Sequence, residues 1–405
     1  VTTRKKHPYM NISIKAGILP VALLNTVAMT AANDSIVWKR QVYSTGHVRF
    51  RQEVLASPAM RNYLHTPSIS EFSVYATTEP AAAARIPQLG RGGKQFGMEA
   101  SSFQQLGANS VVWGKASYQN GKKYDVTWNE TSDFLLLYPY VMGDAKGGDQ
   151  NYESYRLDGG YSTRHGKTCY GVDLGYRTLS EYRNRDPRPN NTVADLYAQG
   201  GIGLNIWGSY SVALTATAGK YKQTNELAFY NELGTQMVYH LTGIGNDFTR
   251  FSGQGKNCFY KGYSIGAEIS MASKETTGWS ASAGYLFTRK EKVLTDLNRL
   301  PLNRLEVNSL DGAVGYNNED YGVRLTGNVA QRKGIDNLFG DATGNIYPQI
   351  GSRKQYDGKI EKIKAEGFWN VNWTEKTDVN IEPEIACASF KNSHHTSGNL
   401  LKSSD

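Results

Sequence analysis

The stretch that decides the fold runs from residue 155 to residue 177 and reads YRLDGGYSTRHGKTCYGVDLGYR. Apolar and polar residues alternate in its two halves, 155–161 and 170–176, and an extended strand directs successive side chains to opposite faces. The tight His165-Gly166-Lys167 link between the halves predicts a hairpin. The stretch therefore predicts two neighbouring antiparallel strands with one apolar face and one polar face.

The same alternation recurs along most of the chain. It covers residues 196–206, 210–217, 279–287, 321–332 and 378–385. Short turns are expected at 208–209 and 317–320, and the Asn120-Gly121 dipeptide predicts a further hairpin. The long polar connectors are predicted at 141–152, 179–193, 221–258 and 333–355.

Strand length and aromatic placement decide between a soluble sheet and a membrane barrel. The alternating segments are roughly nine to twelve residues long, which matches a tilted membrane crossing better than the usual strand of a soluble sheet. Tyr and Trp often stand at the segment ends, as they do at the two interfaces of a bilayer. The sequence therefore predicts an all-β protein, a transmembrane antiparallel β-barrel of roughly 14–16 strands when complete.

Composition excludes several other classes. Only 39% of the 405 residues are hydrophobic and the mean hydropathy is −0.51, which excludes a helical membrane protein. Four charges of the net +8 lie before residue 33. The rest of the chain therefore carries too small a positive excess for the clustered basic stripe of a nucleic-acid binder. The three cysteines are far apart and odd in number, and they build neither a zinc site nor a disulfide framework. No cofactor is predicted.

The N-terminus reads as an export signal. A basic region from Arg4 to Lys15 precedes the apolar run AGILPVALLNTVA at 16–28, and small residues follow. The predicted organisation is a signal peptide at 1–32, an N-terminal extension or inward-folded plug segment at 33–70, a barrel at 71–390, and a polar tail or truncation point at 391–405. A buried core helix is the alternative for residues 16–28.

The connector EYRNRDPRPNN at 181–191, with the strand-rich stretch that follows it, resembles a Bacteroides-type outer-membrane β-barrel family of unknown function. The resemblance implies location in the outer membrane and association with TonB-dependent nutrient-uptake machinery, and it brings no catalytic residue. One departure is the C-terminus, which is polar where such barrels usually end on an aromatic residue.

Two groups of charged residues are the candidate sites. The first is a loop contact for an anionic ligand or lipopolysaccharide phosphates, through Arg183, Arg185 and Arg188. The alternative for this loop is a proline-stiffened turn tied by its own Arg–Asp pairs. The second is a set of lumen-lining residues on the polar strand face: Arg156, Asp158, Asp173, Arg177, Arg324 and Arg332. They would border an open passage or hold an inner segment.

The leading functional prediction is a porin-like, non-enzymatic barrel for solute passage, or an accessory subunit of a TonB-dependent uptake system. Its expected partners are outer-membrane lipid, lipopolysaccharide and a TonB-dependent receptor complex, and no nucleic acid. The alternatives are a barrel enzyme that hydrolyses lipid or peptide, and a secreted soluble adhesin. The string Gly262-Tyr263-Ser264-Ile265-Gly266 matches a nucleophile elbow, but it lies in an alternating segment with no helix after it.

Overall fold

One antiparallel sheet dominates the computed structural model, which describes residues 46–64, 67–79, 86–231, 236–253, 257–344, 346–374, 377–396 and 399–404. The predicted signal peptide lies outside the described residues. The strands are β1 (Ile69–Glu79), β2 (Gly92–Gln105), β3 (Ser110–Val126), β4 (Met142–Gly143), β5 (Gly148–His165), β6 (Thr168–Tyr182), β7 (Arg188–Asn205), β8 (Tyr210–Ala228), β9 (Tyr239–Gly243), β10 (Asn246–Asp247), β11 (Cys258–Ser273), β12 (Gly278–Leu294), β13 (Leu300–Asn317), β14 (Tyr321–Phe339), β15 (Gln349–Thr374), β16 (Thr377–Ile381), β17 (Glu384–Thr396) and β18 (Asn399–Ser404).

Fifteen of these strands form the main sheet. Fourteen of them pair in the order in which they follow along the chain, and β16 pairs with β15 alone. The remaining three, β4, β9 and β10, form a small separate sheet. In the part of the chain that the structure describes, β1 and β18 are the edges of the main sheet and do not pair with each other. The prediction of an all-β chain with a large antiparallel sheet is confirmed.

The connections differ in length at the two rims of the sheet. At the turn rim they are short, at 106–109, 166–167, 206–209, 274–277 and 318–320. At the loop rim they include the long connections 127–147 and 229–257. The predicted hairpin at Gly166 is confirmed, since His165 pairs with Thr168 and Gly166 takes a positive φ of 61°.

The two faces of the sheet have opposite character. On the outer face, apolar side chains stand exposed at every second position of the central strands, with Leu157 at 59%, Leu310 at 60% and Val323 at 63% exposure. Aromatic residues stand at the ends of this apolar band, for example Trp279 and Tyr285 on β12. Exposed apolar side chains repeated across neighbouring strands in this way are unusual in soluble monomers.

The polar inner face is concave and wraps around parts of the same chain. The 3-10 helix Pro58–Tyr63 contacts β3 and β5 to β8, while the helix Gly46–Val54, only four residues earlier, contacts β14 and β15. A flat sheet could not bring strands so far apart in its order onto one short segment. We call residues 46–64 the N-terminal segment; Phe50, Leu55 and Met60 are buried in its contact with the sheet.

Several sequence predictions are corrected by the strand bounds. Strands β2 to β14 of the main sheet are 14 to 19 residues long, because they continue beyond the apolar band with charged residues on the outer face. The predicted connectors at 179–193, 221–258 and 333–355 therefore shrink to 183–187, 229–257 and 340–348, whereas the one predicted at 141–152 is replaced by a longer connection at 127–147. Residues 391–396 and 399–404, where a polar tail or truncation point is predicted, lie in strands.

The predicted hairpin at Asn120-Gly121 is wrong. Strand β3 runs straight through this dipeptide, and Asn120 pairs with Phe96 on one side and Glu153 on the other. Gly121 instead makes room on the inner face, because a Cβ there would lie 2.6 Å from the ring of Tyr152. A glycine required for close packing thus resembles a turn signal when the sequence is read locally.

Candidate functional site

The connection 127–147 folds back from the loop rim into the concavity of the sheet, and we call it the inserted segment. Its apolar run FLLLYPYVM at 134–142 would be unfavourable in water, and Phe134, Leu137 and Met142 are buried against the inner face. Two residues of the segment also pair as β4 with β9, from the long connection 229–257. The inserted segment therefore belongs to the interior of the molecule.

A buried ion triad fixes the base of the inserted segment. The Nη2 atom of Arg183 donates to Glu130 Oε1 at 2.7 Å and to Asp144 Oδ2 at 2.8 Å, and all three side chains are at most 1% exposed. Arg183 also donates to the carbonyl oxygen of Pro187 in its own loop. The triad ties both ends of the inserted segment to the β6–β7 connection.

Further polar contacts satisfy the backbone of the segment. Arg332 on β14 donates to the carbonyl oxygens of Leu135, Leu136 and Tyr138, and Lys292 on β12 donates to that of Val141 at 3.0 Å. A buried backbone carbonyl without a donor would be costly, so these two cations replace the water that a surface loop would have. Groups from the β6–β7 connection, β12 and β14 thus all hold the inserted segment.

Burial shifts the acidity of the tyrosines in the inserted segment. The pKa of Tyr140 is raised well above its usual value, chiefly by burial and then by the nearby carboxylate of Asp336. Burial likewise raises the pKa of Tyr138, while a hydrogen bond from the backbone N–H of Ile244 opposes the shift. Both phenols are therefore neutral at physiological pH.

The N-terminal segment closes the concavity from the turn rim. Arg51, 3% exposed, donates to the carbonyl oxygen of Ser273 at 3.1 Å, and burial lowers its pKa to about 10. Glu53 accepts from Arg324 at 2.9 Å; burial and the adjacent Glu366 raise the pKa of its carboxyl. Gly171 on β6 allows the closest approach, because a Cβ there would lie 2.1 Å from the carbonyl oxygen of Pro58.

The six predicted lumen-lining residues all project from the inner face, and the structure divides them into three groups. Arg324 and Arg332 hold the N-terminal and inserted segments respectively, as described above. Arg177 binds Asp133 of the inserted segment through two hydrogen bonds, of 3.1 and 2.6 Å.

The other three residues of that set lie between the two segments. Arg156 pairs with Asp158 at 2.7 Å on the same strand. The single hydroxyl proton of Tyr197 is shared between Asp158 and Asp173, whose carboxylates lie 3.0 and 3.1 Å from the phenol oxygen, and Trp113 Nε1 donates to Asp173 at 2.8 Å. These three of the six residues therefore form one network of charges and hydrogen-bond donors with Tyr197 and Trp113.

The structure places the three arginines of the predicted loop contact in different surroundings. Arg183 is buried in the triad, so it is not available to an external anion. Arg188 pairs with Asp186 at 2.7 Å and lies 4.1 Å from the ring centre of Tyr230, while Arg185 is exposed. These contacts correspond to the alternative of a loop tied by its own Arg–Asp pair. Sequence reasoning missed Glu130 and Asp144; the apolar run between them was the available signal, because such a run rarely stays in a solvated loop.

The nucleophile-elbow match and possible metal-binding groups can be checked directly in the described part of the chain. Ser264 of the nucleophile-elbow match lies inside β11, paired with Gly219 and Thr288, without the sharp turn that exposes such a serine. Among the described residues, no group of three His, Cys, Asp or Glu side chains could hold a metal ion. Within the same ranges, no helix has the length and apolar character needed to cross a bilayer.

Comparisons with known proteins add a family and distant structural likenesses. No curated protein matches the sequence. Among solved structures, the ferric preacinetobactin receptor BauA of Acinetobacter baumannii is 9% identical, with a TM-score of 0.39 over 83% of this chain and 65% of the receptor. The ferric-catecholate import receptor Fiu of E. coli is 6% identical, with a TM-score of 0.37 over 83% of this chain and 65% of the receptor. The toluene transporter TodX of Pseudomonas putida is 10% identical, with a TM-score of 0.32 over 84% and 92%.

The chain spans slightly less than two thirds of the two receptors. A family model covers residues 58–404, which include the N-terminal 3-10 helix and all the strands of the main sheet. The chain belongs to the family of unknown function DUF6850.

Proposed function

We propose that this chain is an integral protein of the Gram-negative outer membrane, in which the curved sheet forms the wall of a β-barrel. We propose further that its own N-terminal and inserted segments close the interior and gate the passage of a small solute. The observation that carries the proposal is the opposite character of the two sheet faces. An apolar band with aromatic ends suits lipid, and a polar concave face suits a water-filled interior.

The interior contacts favour a gated barrel over an open pore. The inserted segment is held by three buried charges and by donors from β12 and β14, whereas the ion pairs of the N-terminal segment involve exposed side chains, although its apolar side chains are buried. Arg49, for example, binds Glu382 at 2.5 Å, but its side chain is 57% exposed. Exposed ion pairs contribute about 0–1 kcal/mol, so the N-terminal segment is the part that we expect to move.

The test begins with localisation and then measures conductance. The full-length chain is expressed in a Gram-negative host and fractionated, and its folding is checked by heat-modifiable gel mobility. Planar-bilayer recordings compare the wild type with a double variant, Gly171→Ala with Arg183→Met, which weakens the hold on both segments. The matched control is Gly200→Ala with Arg188→Met, because a Cβ at Gly200 meets nothing within 4 Å and Arg188 pairs at the surface.

We expect a closed wild type, a closed control, and ion-conducting steps from the double variant. Stable steps from the wild type would instead support a simple pore. A folded, membrane-inserted double variant that stays silent would contradict gated passage and favour the second role, an accessory subunit of a TonB-dependent uptake system. Recovery of the chain in a soluble secreted fraction would contradict the membrane location and favour the adhesin. A non-enzymatic role is part of the same proposal.

A further inference from the structure

A polar pocket lies beside the inserted segment, against the inner face of β3, β5 and β6. Its volume is about 380 Å³, near the lower end of the range of about 300–1,000 Å³ for small-molecule sites. The groups that line it include the hydroxyls of Ser117, Ser132 and Ser154 and the amide of Gln119. We call it the side pocket. It is separate from the residues that hold Arg183 and from the N-terminal segment.

The charges around the side pocket are paired within the protein. Lys123 binds Glu181 at 2.5 Å, and Arg177 binds Asp133 at 2.6 Å. The third cation of the lining, Arg156, binds Asp158 as described above. A ligand with its own net charge would have to break one of these pairs or remain unpaired in the interior, and either event costs free energy. The charge balance therefore favours a neutral ligand.

Two buried polar atoms at the side pocket make no hydrogen bond of normal geometry, although the Ser132 hydroxyl lies close enough to the Glu181 carboxylate for a weak contact. They are Glu181 Oε1, in a side chain that is 1% exposed, and Ser132 Oγ, in a residue that is 7% exposed. A ligand hydroxyl group between the two side chains would replace this weak contact by well-formed hydrogen bonds, so the pair favours an incoming partner. A carboxylate oxygen accepts and a serine hydroxyl both donates and accepts, which is the complement of a ligand hydroxyl group.

An aromatic ring supplies apolar surface in the same pocket. The hydroxyl of Tyr152 donates to Gln95 Oε1 at 2.7 Å, which fixes the ring against the lining. Small-molecule sites commonly combine an apolar or aromatic surface with a few placed polar groups. The ring faces of a sugar carry C–H groups that suit such a surface, while the sugar edges carry hydroxyl groups.

We propose that the side pocket binds a neutral polyhydroxylated solute of mono- or disaccharide size. Glu181 and Ser132 would bind ligand hydroxyl groups, and Tyr152 would contact the apolar face of the ring. This inference names the solute class of the proposed function. Binding is nevertheless measurable without any membrane, so the two proposals can fail separately.

The test uses the full-length chain, folded in detergent and titrated by isothermal calorimetry. The probes are maltose and myo-inositol as neutral polyols, glucuronate as an anion and glucosamine as a cation. We expect saturable binding of at least one neutral polyol, with weaker or no binding of both charged probes. Failure of both neutral polyols to bind, or tighter binding of a charged probe, would overturn the proposal and leave water as the occupant.

Variants locate the bound solute. Ser132→Ala and Ser117→Ala each remove one hydroxyl of the side pocket, and each is expected to weaken binding about three- to tenfold, the effect of one lost hydrogen bond. The matched control is Ser282→Ala, on the inner face of β12 and outside this pocket, with an expected affinity equal to that of the wild type. Equal affinities for all three variants would overturn the assignment to the side pocket, whatever the conductance recordings show.

Discussion

Replacement of Arg183 by Met should release the inserted segment, because it leaves two carboxylates buried without their cation. Glu130 and Asp144 are at most 1% exposed and share the Nη2 atom of Arg183 within 2.8 Å. Removal of one partner from a buried ion pair typically costs about 3–5 kcal/mol. Since about 1.4 kcal/mol corresponds to a tenfold change in an equilibrium constant, the open population of the segment should rise by roughly 10²- to 4×10³-fold.

Amide hydrogen exchange measures this opening directly. The backbone N–H of Glu130 donates to the carbonyl oxygen of Met142 at 2.7 Å, and that of Leu241 donates to Val141 at 2.9 Å, so both amides report on the inserted segment. Their protection should fall by the factor given above in Arg183→Met, while the amides at the centre of β12 and β13 keep theirs.

Arg188→Met is the control for loss of a cation in the same loop. Its partner Asp186 is held as well by the backbone N–H groups of Tyr230 and Asn231, and the Arg188 side chain is 38% exposed. The expected cost is about 0–1 kcal/mol, with unchanged protection of the inserted segment. Unchanged protection in Arg183→Met itself would refute the reasoning, because the triad would then not hold the segment.

Three further predictions concern other parts of the fold. Gly171→Ala should displace the N-terminal segment at a cost of about 1–3 kcal/mol and so speed its proteolysis, whereas Gly200→Ala should not. Equal proteolysis of the two variants would contradict the close approach of Gly171 to Pro58. Burial lowers the pKa of His47 below 6.5, and the hydrogen bond to the Thr276 carbonyl opposes this shift. The docked helix Gly46–Val54 therefore favours the neutral ring, so its docking should weaken as the pH falls below about 6.5 and the ring takes up a proton. The pH dependence of helix protection should be smaller in His47→Gln, and an identical dependence would exclude His47 as its source. Cys387 is exposed and is the strand partner of Ile363 on the outer face, so in membranes it should react with an apolar maleimide and not with a charged one. The two buried cysteines should stay unlabelled. Rapid labelling of Cys387 by the charged maleimide would contradict its contact with lipid.

The alternation of side chains could be predicted from the sequence because it is a local property of an extended chain. Residues 155–177 alone fix which side chains share a face, and β5 and β6 carry that pattern in the structure. The turn at Gly166 and the common face of Arg156, Asp158 and Asp173 follow from the same period of two residues. Length, composition and apolar alternation also sufficed to predict one large antiparallel sheet.

The strand ends and the false turn at Gly121 depended on information that is not local. Strands such as β8 continue beyond the apolar band because their neighbours pair with them there, and pairing is indifferent to the polarity of the outward side chains. Gly121 needs Tyr152 from another strand for its explanation. Sequence alone shows the glycine and not the ring that requires it.

The sequence by itself determined the strand-rich class and the two faces of the sheet, whereas only the tertiary structure decided what fills the concave face. The sequence places Arg183 in a polar connector, which predicts a solvated side chain. In the structure, curvature of the sheet brings Glu130 and Asp144 around it and excludes water. The side pocket likewise joins β3 and β6 to the inserted segment. Side-chain direction follows from backbone geometry within a few residues, but contacts across the interior follow from the curvature and register of the whole sheet.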